Sequence, residues 1–364
     1  MGANKGYTRD DYLAAYQRLG SHRAVARELG VHRTTVKTML GTDPAVQTGM
    51  DRLGMTAQPG IAWIKTKPKD DEPGYSFMVK LQADDDQLER MRDAFEGMAA
   101  APVVPAPEHA DADLLTVYPI ADLHLGMMAW GKETGEDYDT QSAAGRVRDW
   151  VARCVASSPA SETAVVLSVG DWFHADDQSN QTPASKHQLD VDTRHFKTLE
   201  VGIAAMCASI DLALHKHSRV IVRILAGNHD PHSSIALTFA TAERYRDNPR
   251  VEVVKDPSLF WCHEFGRVML AATHGDKAKP DRIVHFLADE FAPIWGRTKH
   301  RYLWTGHLHH LRAQDIGGVQ QEQLRAVTAR DAYAYGHAYT ARAQLQAITL
   351  HRDFGEVQRV KVAA

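Results

Sequence analysis

Five short apolar runs in the C-terminal part of the chain end on the same few residue types, and this restricts the fold more than any other feature. Leu114–Ala121, Ala164–Val169, Val220–Ala226, Val268–Thr273 and Tyr302–Thr305 read as buried β-strands. They are followed in turn by Asp122-Leu123-His124, Gly170-Asp171-Trp172-Phe173-His174, Gly227-Asn228-His229-Asp230, His274-Gly275-Asp276 and Gly306-His307-Leu308-His309. Helices are expected between them at Ala143–Ala156, Asp190–His215 and Ser234–Tyr245. The alternation predicts an α/β body with a partly parallel sheet, whose ligand chemistry collects at the strand C-termini. From Arg312 onward the tail reads as further strands, among them Leu345–Leu350 and Val357–Val362, expected to form a second sheet packed on the first.

Delivering Asp, His and Asn from five strand ends to one edge of one sheet builds a metal site. Imidazole with carboxylate suits first-row transition metals such as manganese, iron and zinc. The set exceeds what one four- to six-coordinate ion needs, and a carboxylate can bridge, so the pattern points to two ions able to clamp a phosphate and activate water. Glycine before Asp171, Asn228 and His307 permits the tight turns that bring backbone close to the ions.

The series Asp-x-His, Gly-Asp, Gly-Asn-His-Asp, His, Gly-His-x-His resembles the calcineurin-like metallophosphoesterase family over Leu114 to His309, in family order. Gly-Asp-Trp-Phe-His and Ala-Asp-Leu-His-Leu-Gly look most like its SbcD-type DNA-repair exonucleases. The resemblance implies a two-sheet α/β sandwich of αββα type. Asp122, His124, Asp171 and His309 would hold one ion, and Asp171 would bridge to a second ion held by Asn228, His274 and His307. It further implies attack on phosphorus by a hydroxide bridging the ions. His229 would assist the leaving oxygen, Asp230 would orient His229, and His174 would position a nucleic-acid strand. The SbcD-type enzymes begin with this domain and follow it with a DNA-capping domain and a contact for an ATPase. Here the body starts near residue 113 and only residues 310–364 follow the last ligand, so the ATPase partner is not carried over.

Each motif also has a plainer reading. His174 could be a loop histidine bonded to Asp176 or Asp177. His232 and His310 match no ligand position, and Trp172 and Phe173 suit packing better than base stacking.

Gly/Pro punctuation over residues 41–60 and the Ala/Pro run of 99–112 read as linkers. They divide the chain into a head (1–40), a small α+β module (61–98) and the body (113–364). In the module, Ile61–Lys67 and Tyr75–Gln82 suit a hairpin around Pro68–Gly74, followed by a charged helix over Asp84–Met98. In the head, Tyr12, Leu13, Tyr16 and Leu19 give a helix Arg9–Leu19 one apolar face, and Ser21 is placed to cap the next helix. Ala24 to Val36 is similar to helix-turn-helix modules, with Gly30 at the turn. That likeness makes Arg33, Thr34, Thr35 and Lys37 the candidate DNA contacts. Through Leu40 the head has seven positive and three negative residues, a local +4 inside a chain of −4. A helical bundle serving a homodimer is the other reading of this segment.

The net charge excludes a uniformly basic coat, so any nucleic-acid contact is local. Cys154, Cys207 and Cys262 are too far apart for a disulfide framework, which suits a reducing compartment. No run nears the roughly 20 apolar residues of a membrane span, and the start, with Gly6 where a myristoylation signal wants Ser or Thr, resembles no signal peptide. A cytoplasmic enzyme without membrane contact is expected. The sequence thus predicts a DNA-hydrolysing metallophosphoesterase that works without a covalent intermediate and is recruited by its head. A phosphatase or phosphodiesterase for a small or protein substrate is one alternative, and a DNA-binding regulator with a metal-stabilised scaffold is another.

Overall fold

The computed structural model describes residues 7–19, 21–40, 61–65, 76–80 and 99–364, which fall into two units, Met1–Arg90 and Met91–Ala364. In the first, helices α1 (Arg9–Leu19), α2 (His22–Leu29) and α3 (Arg33–Leu40) bury Tyr12, Ala15, Val25, Ala26, Val36 and Leu40 together. Leu13 lies outside this core, because the buried stripe follows Tyr12, Ala15 and Leu19 around the helix. Ser21 occupies the cap position of α2 with extended backbone but makes no side-chain capping bond. Gly30 closes α2 at φ 61, its N–H donating to the Ala26 carbonyl. Strands β1 (Ile61–Lys65) and β2 (Ser76–Lys80) pair antiparallel. The 41–60 linker, the Pro68–Gly74 loop and the Asp84–Met98 helix lie outside the described residues.

In the second unit, backbone pairing joins the strands into two sheets. The first has the order β13-β12-β3-β4-β5-β6, with β3 (Asp111–Ile120), β4 (Ser161–Ser168), β5 (Arg219–Ile224) and β6 (Val251–Val253) parallel. The second has the order β10-β11-β9-β8-β7, in which β8 (Val268–Ala272), β9 (His300–Thr305) and β11 (Val319–Gln323) are parallel. Its edge strands β7 (Trp261–Phe265) and β10 (Arg312–Ile316) are antiparallel to their neighbours. Leu115, Val117, Val165, Leu167, Leu270 and Trp304 fill the space between the sheets. The alternate residues Tyr118, Ile120, Val166 and Val222 face α5 (Thr140–Ser157), α6 (His195–Leu214) and α7 (Ser233–Arg244). Met269, Ala271 and Leu303 face α8 (Pro280–Glu290), with α9 (Ala292–Arg297) following it. The result is the expected αββα sandwich; α4 (Gly131–Thr134) and α10 (Ala332–Gly336) are short turns at its margin.

Three expectations change. The five motif-bearing strands do not share one sheet: β3, β4 and β5 lie in the first, and β8 and β9 in the second. The tail does not build the second sheet alone. Its last strands, β12 (Gln344–His351) and β13 (Gly355–Ala363), extend the first, β12 running antiparallel to β3. Leu345 and Ala347 face the helices while Ile348 and Leu350 face the other sheet, a pattern that fits only a strand covered on both faces. Finally, α6 starts at His195 rather than Asp190, because the Asp192 carboxylate is engaged by Thr140 N–H (2.9 Å) and Oγ1 (2.5 Å) at the start of α5.

The Ala/Pro run is extended and pinned to this unit. Arg244 donates to the Ala99 carbonyl (2.6 Å), and Arg250 to those of Val104 (2.8 Å) and Pro105 (3.0 Å). No helix among the described residues is long and apolar enough to cross a membrane.

Candidate metal centre

The residues following β3, β4, β5, β8 and β9 meet where the C-terminal ends of the two sheets adjoin. Their backbone is unusual. Eight described non-glycine residues have positive φ, and Asp122, His124, Asp171, His307 and His309 are five of them (φ 47 to 72). L-residues enter this region at a cost, and a concentration of such residues marks a site whose geometry the surrounding structure imposes. Backbone bonds fix the turns against one another: His124 N–H donates to Asp171 O (3.0 Å) and His174 N–H to Leu125 O (3.0 Å). Two glycines are required by close approach. A Cβ on Gly227 would lie 1.9 Å from Asp171 Oδ1, and one on Gly306 would lie 2.6 Å from Asp122 Oδ2.

Ligand atoms gather in three groups: Asp122, His124 and His309; Asp171, His274 and His307; and His124, His174 and His229. His124 Nε2 lies 3.1 Å from His309 Nε2, and His309 Nε2 lies 3.6 Å from Asp122 Oδ1. Asp171 Oδ2 is 3.8 Å from His124 Nε2 and 3.1 Å from His274 Nε2, so one carboxylate oxygen reaches both of the first two groups. Asn228 Oδ1 is 3.0 Å from His274 Nε2. The sequence placed these seven residues together, and the structure does bring them together.

The donor set fits divalent cations for a specific reason. His274 Nδ1 donates to the Val169 carbonyl (2.9 Å), so in the neutral ring the Nε2 lone pair faces Asn228 Oδ1 and Asp171 Oδ2. Three electron-rich atoms so placed need a cation between them. The polypeptide alone already favours a positive charge there, by protonation of the His274 ring. Burial opposes it, but the Asp171 charge and hydrogen bond outweigh burial and raise His274 to about 10. For Asp171, burial pushes upward, yet His274, His229 and His124 hold the carboxyl well below its usual range. Burial, with the Asp171 charge adding, raises Asp122 and Asp230 above the usual carboxylate range. Burial, with His229 next, lowers His124 and takes His174 to about 3. So many charge-averse groups in one place suit occupation by metal, which satisfies carboxylates and neutral imidazoles together.

The remaining expected site residues are placed differently from one another. His229 Nδ1 donates to the His174 carbonyl (2.8 Å), and its ring stacks on that of His174. Asp230 does not bond the His229 ring. Its buried carboxylate accepts from Phe173 N–H (3.1 Å) and Gly227 N–H (2.9 Å), tying the β4 and β5 turns together. His174 is buried with its Nδ1 3.1 Å from His124 Nδ1, among potential ligands rather than at a strand-positioning surface or on Asp176. Its place three residues after Asp171 was the sequence clue to this. Asp176, expected only as a possible partner of His174, is buried and instead accepts from His232 N–H (2.9 Å) and Ser233 N–H (2.8 Å). His310 Nδ1 bonds the Leu308 carbonyl, and Trp172 and Phe173 are fully buried in the helix-side core. On α3, Arg33 and Thr35 are half-buried; Thr34 and Lys37 belong to the same helix, with side chains outside the described set.

No family model and no curated protein matches the chain. Among solved structures, an archaeal phosphodiesterase is similar at 11% identity and TM-score 0.34, covering 68% of this chain and 99% of its own. A Streptococcus pneumoniae protein described as a predicted phosphoesterase is similar at 12% identity and TM-score 0.27, covering 69% and 98%. A 5'-nucleotidase precursor from Thermus thermophilus is similar at 13% identity and TM-score 0.33, covering 69% of this chain and 54% of its own.

Proposed function

We propose that the chain is a metal-dependent phosphodiesterase that hydrolyses DNA, acting as a nuclease of exonuclease type and recruited by a helix-turn-helix formed by α1–α3. The observation that carries the catalytic part is the shared oxygen Asp171 Oδ2, flanked by His124 on one side and His274 on the other. Asp122, His124, Asp171 and His309 would hold one ion, and Asp171, Asn228, His274 and His307 the other. Two divalent ions, manganese, or iron or zinc, supply Lewis acidity toward a phosphoryl oxygen and toward water. The His229 ring, its Nδ1–H committed to the His174 carbonyl, is left with Nε2, which in the imidazolium form carries the proton handed to the leaving oxygen. Asp230 positions the turn carrying His229 through its two backbone bonds.

The DNA part is supported by the head: a local +4 charge, a left-handed Gly30 between α2 and α3, and an α3 bearing Arg33, Thr34, Thr35 and Lys37. The expected dimer and cytoplasmic setting belong to the same reading. Every expected metal ligand lies between residues 122 and 309, outside the head, which favours a small phosphodiester as the second reading.

The test is digestion of end-labelled single- and double-stranded DNA in manganese, with Asp171→Asn in parallel. Cleavage that vanishes in the variant supports the nuclease. Hydrolysis of an aryl phosphodiester without DNA cleavage moves the substrate to a small molecule. No hydrolysis of either substrate by the wild type, with the biological activity unchanged in Asp171→Asn, leaves a regulator on a scaffold.

A further inference from the structure

Two short turns, one following His124 in the chain and the other following Thr328, carry four large aromatic side chains in solvent. Trp130 is 57% exposed, Tyr333 62%, Tyr335 50% and Tyr339 57%. Trp130 leads into α4, and the tyrosines lie on α10 and its exit, a helix that buries none of its residues. Aromatic area this exposed contributes nothing to the core, and such clusters mark binding surfaces. Cations accompany them: the Arg330 guanidinium sits 4.6 Å from the Tyr335 ring centre, and Lys132 Nζ sits 5.6 Å from that of Trp130. Arg330 also joins the two turns, donating to the carbonyls of Thr134 (2.8 Å) and Tyr339 (3.2 Å). Four carboxylates lie in these turns: Glu136 is paired with Arg146, Asp137 and Asp331 accept from Gly131 N–H and Ala334 N–H and keep their charge, and Glu133 is the fourth, so the stacking faces rather than net charge carry the case for bases.

This surface is built onto the metal centre. Val327 N–H donates to Ala121 O (2.9 Å), Thr328 N–H to Asp122 O (3.1 Å) and Ala326 N–H to His309 O (3.4 Å), just before the chain enters α10. On the other side, Trp130 follows His124 within the same loop, and Ala129 is paired with Tyr138. We propose that Trp130, Tyr333, Tyr335 and Tyr339 form a stacking platform for the bases of single-stranded nucleic acid, whose backbone continues to the His/Asp cluster. The proposal rests on reading that cluster as a phosphodiesterase site. Aromatic faces serve any base, and neighbouring Arg and Lys add attraction to phosphate, so the platform would be tolerant of sequence.

The experiment is fluorescence anisotropy of the full chain, in chelator, with a labelled oligothymidylate and an abasic phosphodiester of equal length. Tyr335→Ala and Trp130→Ala are each expected to weaken oligothymidylate binding about tenfold. Tyr335→Phe should restore it, and abasic binding should not change. Unchanged affinity overturns the platform, as does equal weakening on both ligands, which would mean phosphate contact without stacking. Loss of a dimer in sedimentation velocity with oligothymidylate affinity intact also overturns it, because a second copy then covers the patch. Thermal melting of each variant establishes that the fold is kept. Wild-type hydrolysis of an aryl phosphodiester in manganese is measured separately; its failure would sink the catalytic reading while the base-stacking result stands on its own.

Discussion

Gly227 shows how little space the candidate metal centre leaves. It packs against Asp171, and a methyl there would sit 1.9 Å from the carboxylate oxygen. Gly227→Ala is therefore expected to displace Asp171 and lower kcat/KM for an aryl phosphodiester about a hundredfold, the usual result of an ångström-scale misplacement. Gly145 is the contrast: it lies inside α5, and a Cβ there meets nothing within 4 Å. Gly145→Ala should leave activity alone and add about 0.5–1 kcal/mol to stability by denaturant unfolding. If both variants keep wild-type rates, the tight packing at Asp171 has no catalytic consequence. Which residues gather at this scale was legible, because Asp, His and Asn after apolar runs have few other uses in such number. The left-handed backbone of Asp122 and His309 was not, since neither residue type announces its φ. Nor was the true partner of Asp230, which is the backbone of Phe173 and Gly227 rather than the ring beside it.

Between elements, the two sheets are joined at one end by charge. Arg359 on β13 donates to both Glu322 oxygens on β11 at 2.7 Å and to Glu356, while Gln346 on β12 completes the set. Glu322 is only 3% exposed. Arg359→Met is expected to cost about 3–5 kcal/mol, chiefly because it strands a buried carboxylate. Adding Glu322→Gln should recover a good part of that loss in urea unfolding, and a strictly additive double mutant would show that the pair is not coupled. Strand positions were readable from apolar runs to within a few residues at β3, β4, β5, β8 and β9. Sheet membership was not, because an apolar run records that a strand is covered and not which strand lies beside it.

For the molecule as a whole, acid stability follows from an imidazole kept neutral. His217 is buried between Tyr118 Oη (2.7 Å) and Ser161 Oγ (2.9 Å), and burial lowers it to about 4. Its unfolded value is near 6.5. Above that value both states are neutral and its contribution is intact; as pH falls toward 4, the unfolded chain takes up the proton first and stability is lost. The loss amounts to about 3 kcal/mol over that window. His217→Gln should flatten the wild-type slope of unfolding free energy against pH between about 6.5 and 4. His174, also lowered by burial, keeps its own share of the slope. Equal slopes in the two proteins would contradict the buried neutral ring.

By itself the sequence determined the chemistry: which side chains could bind cations, and the alternation of strand and helix that presents them. Those properties are local, set by residue type and by periods of two and 3.6 along the chain. The tertiary structure decided what depends on distant partners. It split the five strands that carry the candidate ligands between two sheets, placed one oxygen of Asp171 between His124 and His274, and left Trp130 and Tyr335 in solvent. Pairing, bridging and exposure are relations between residues far apart in sequence, and only the packed chain fixes them.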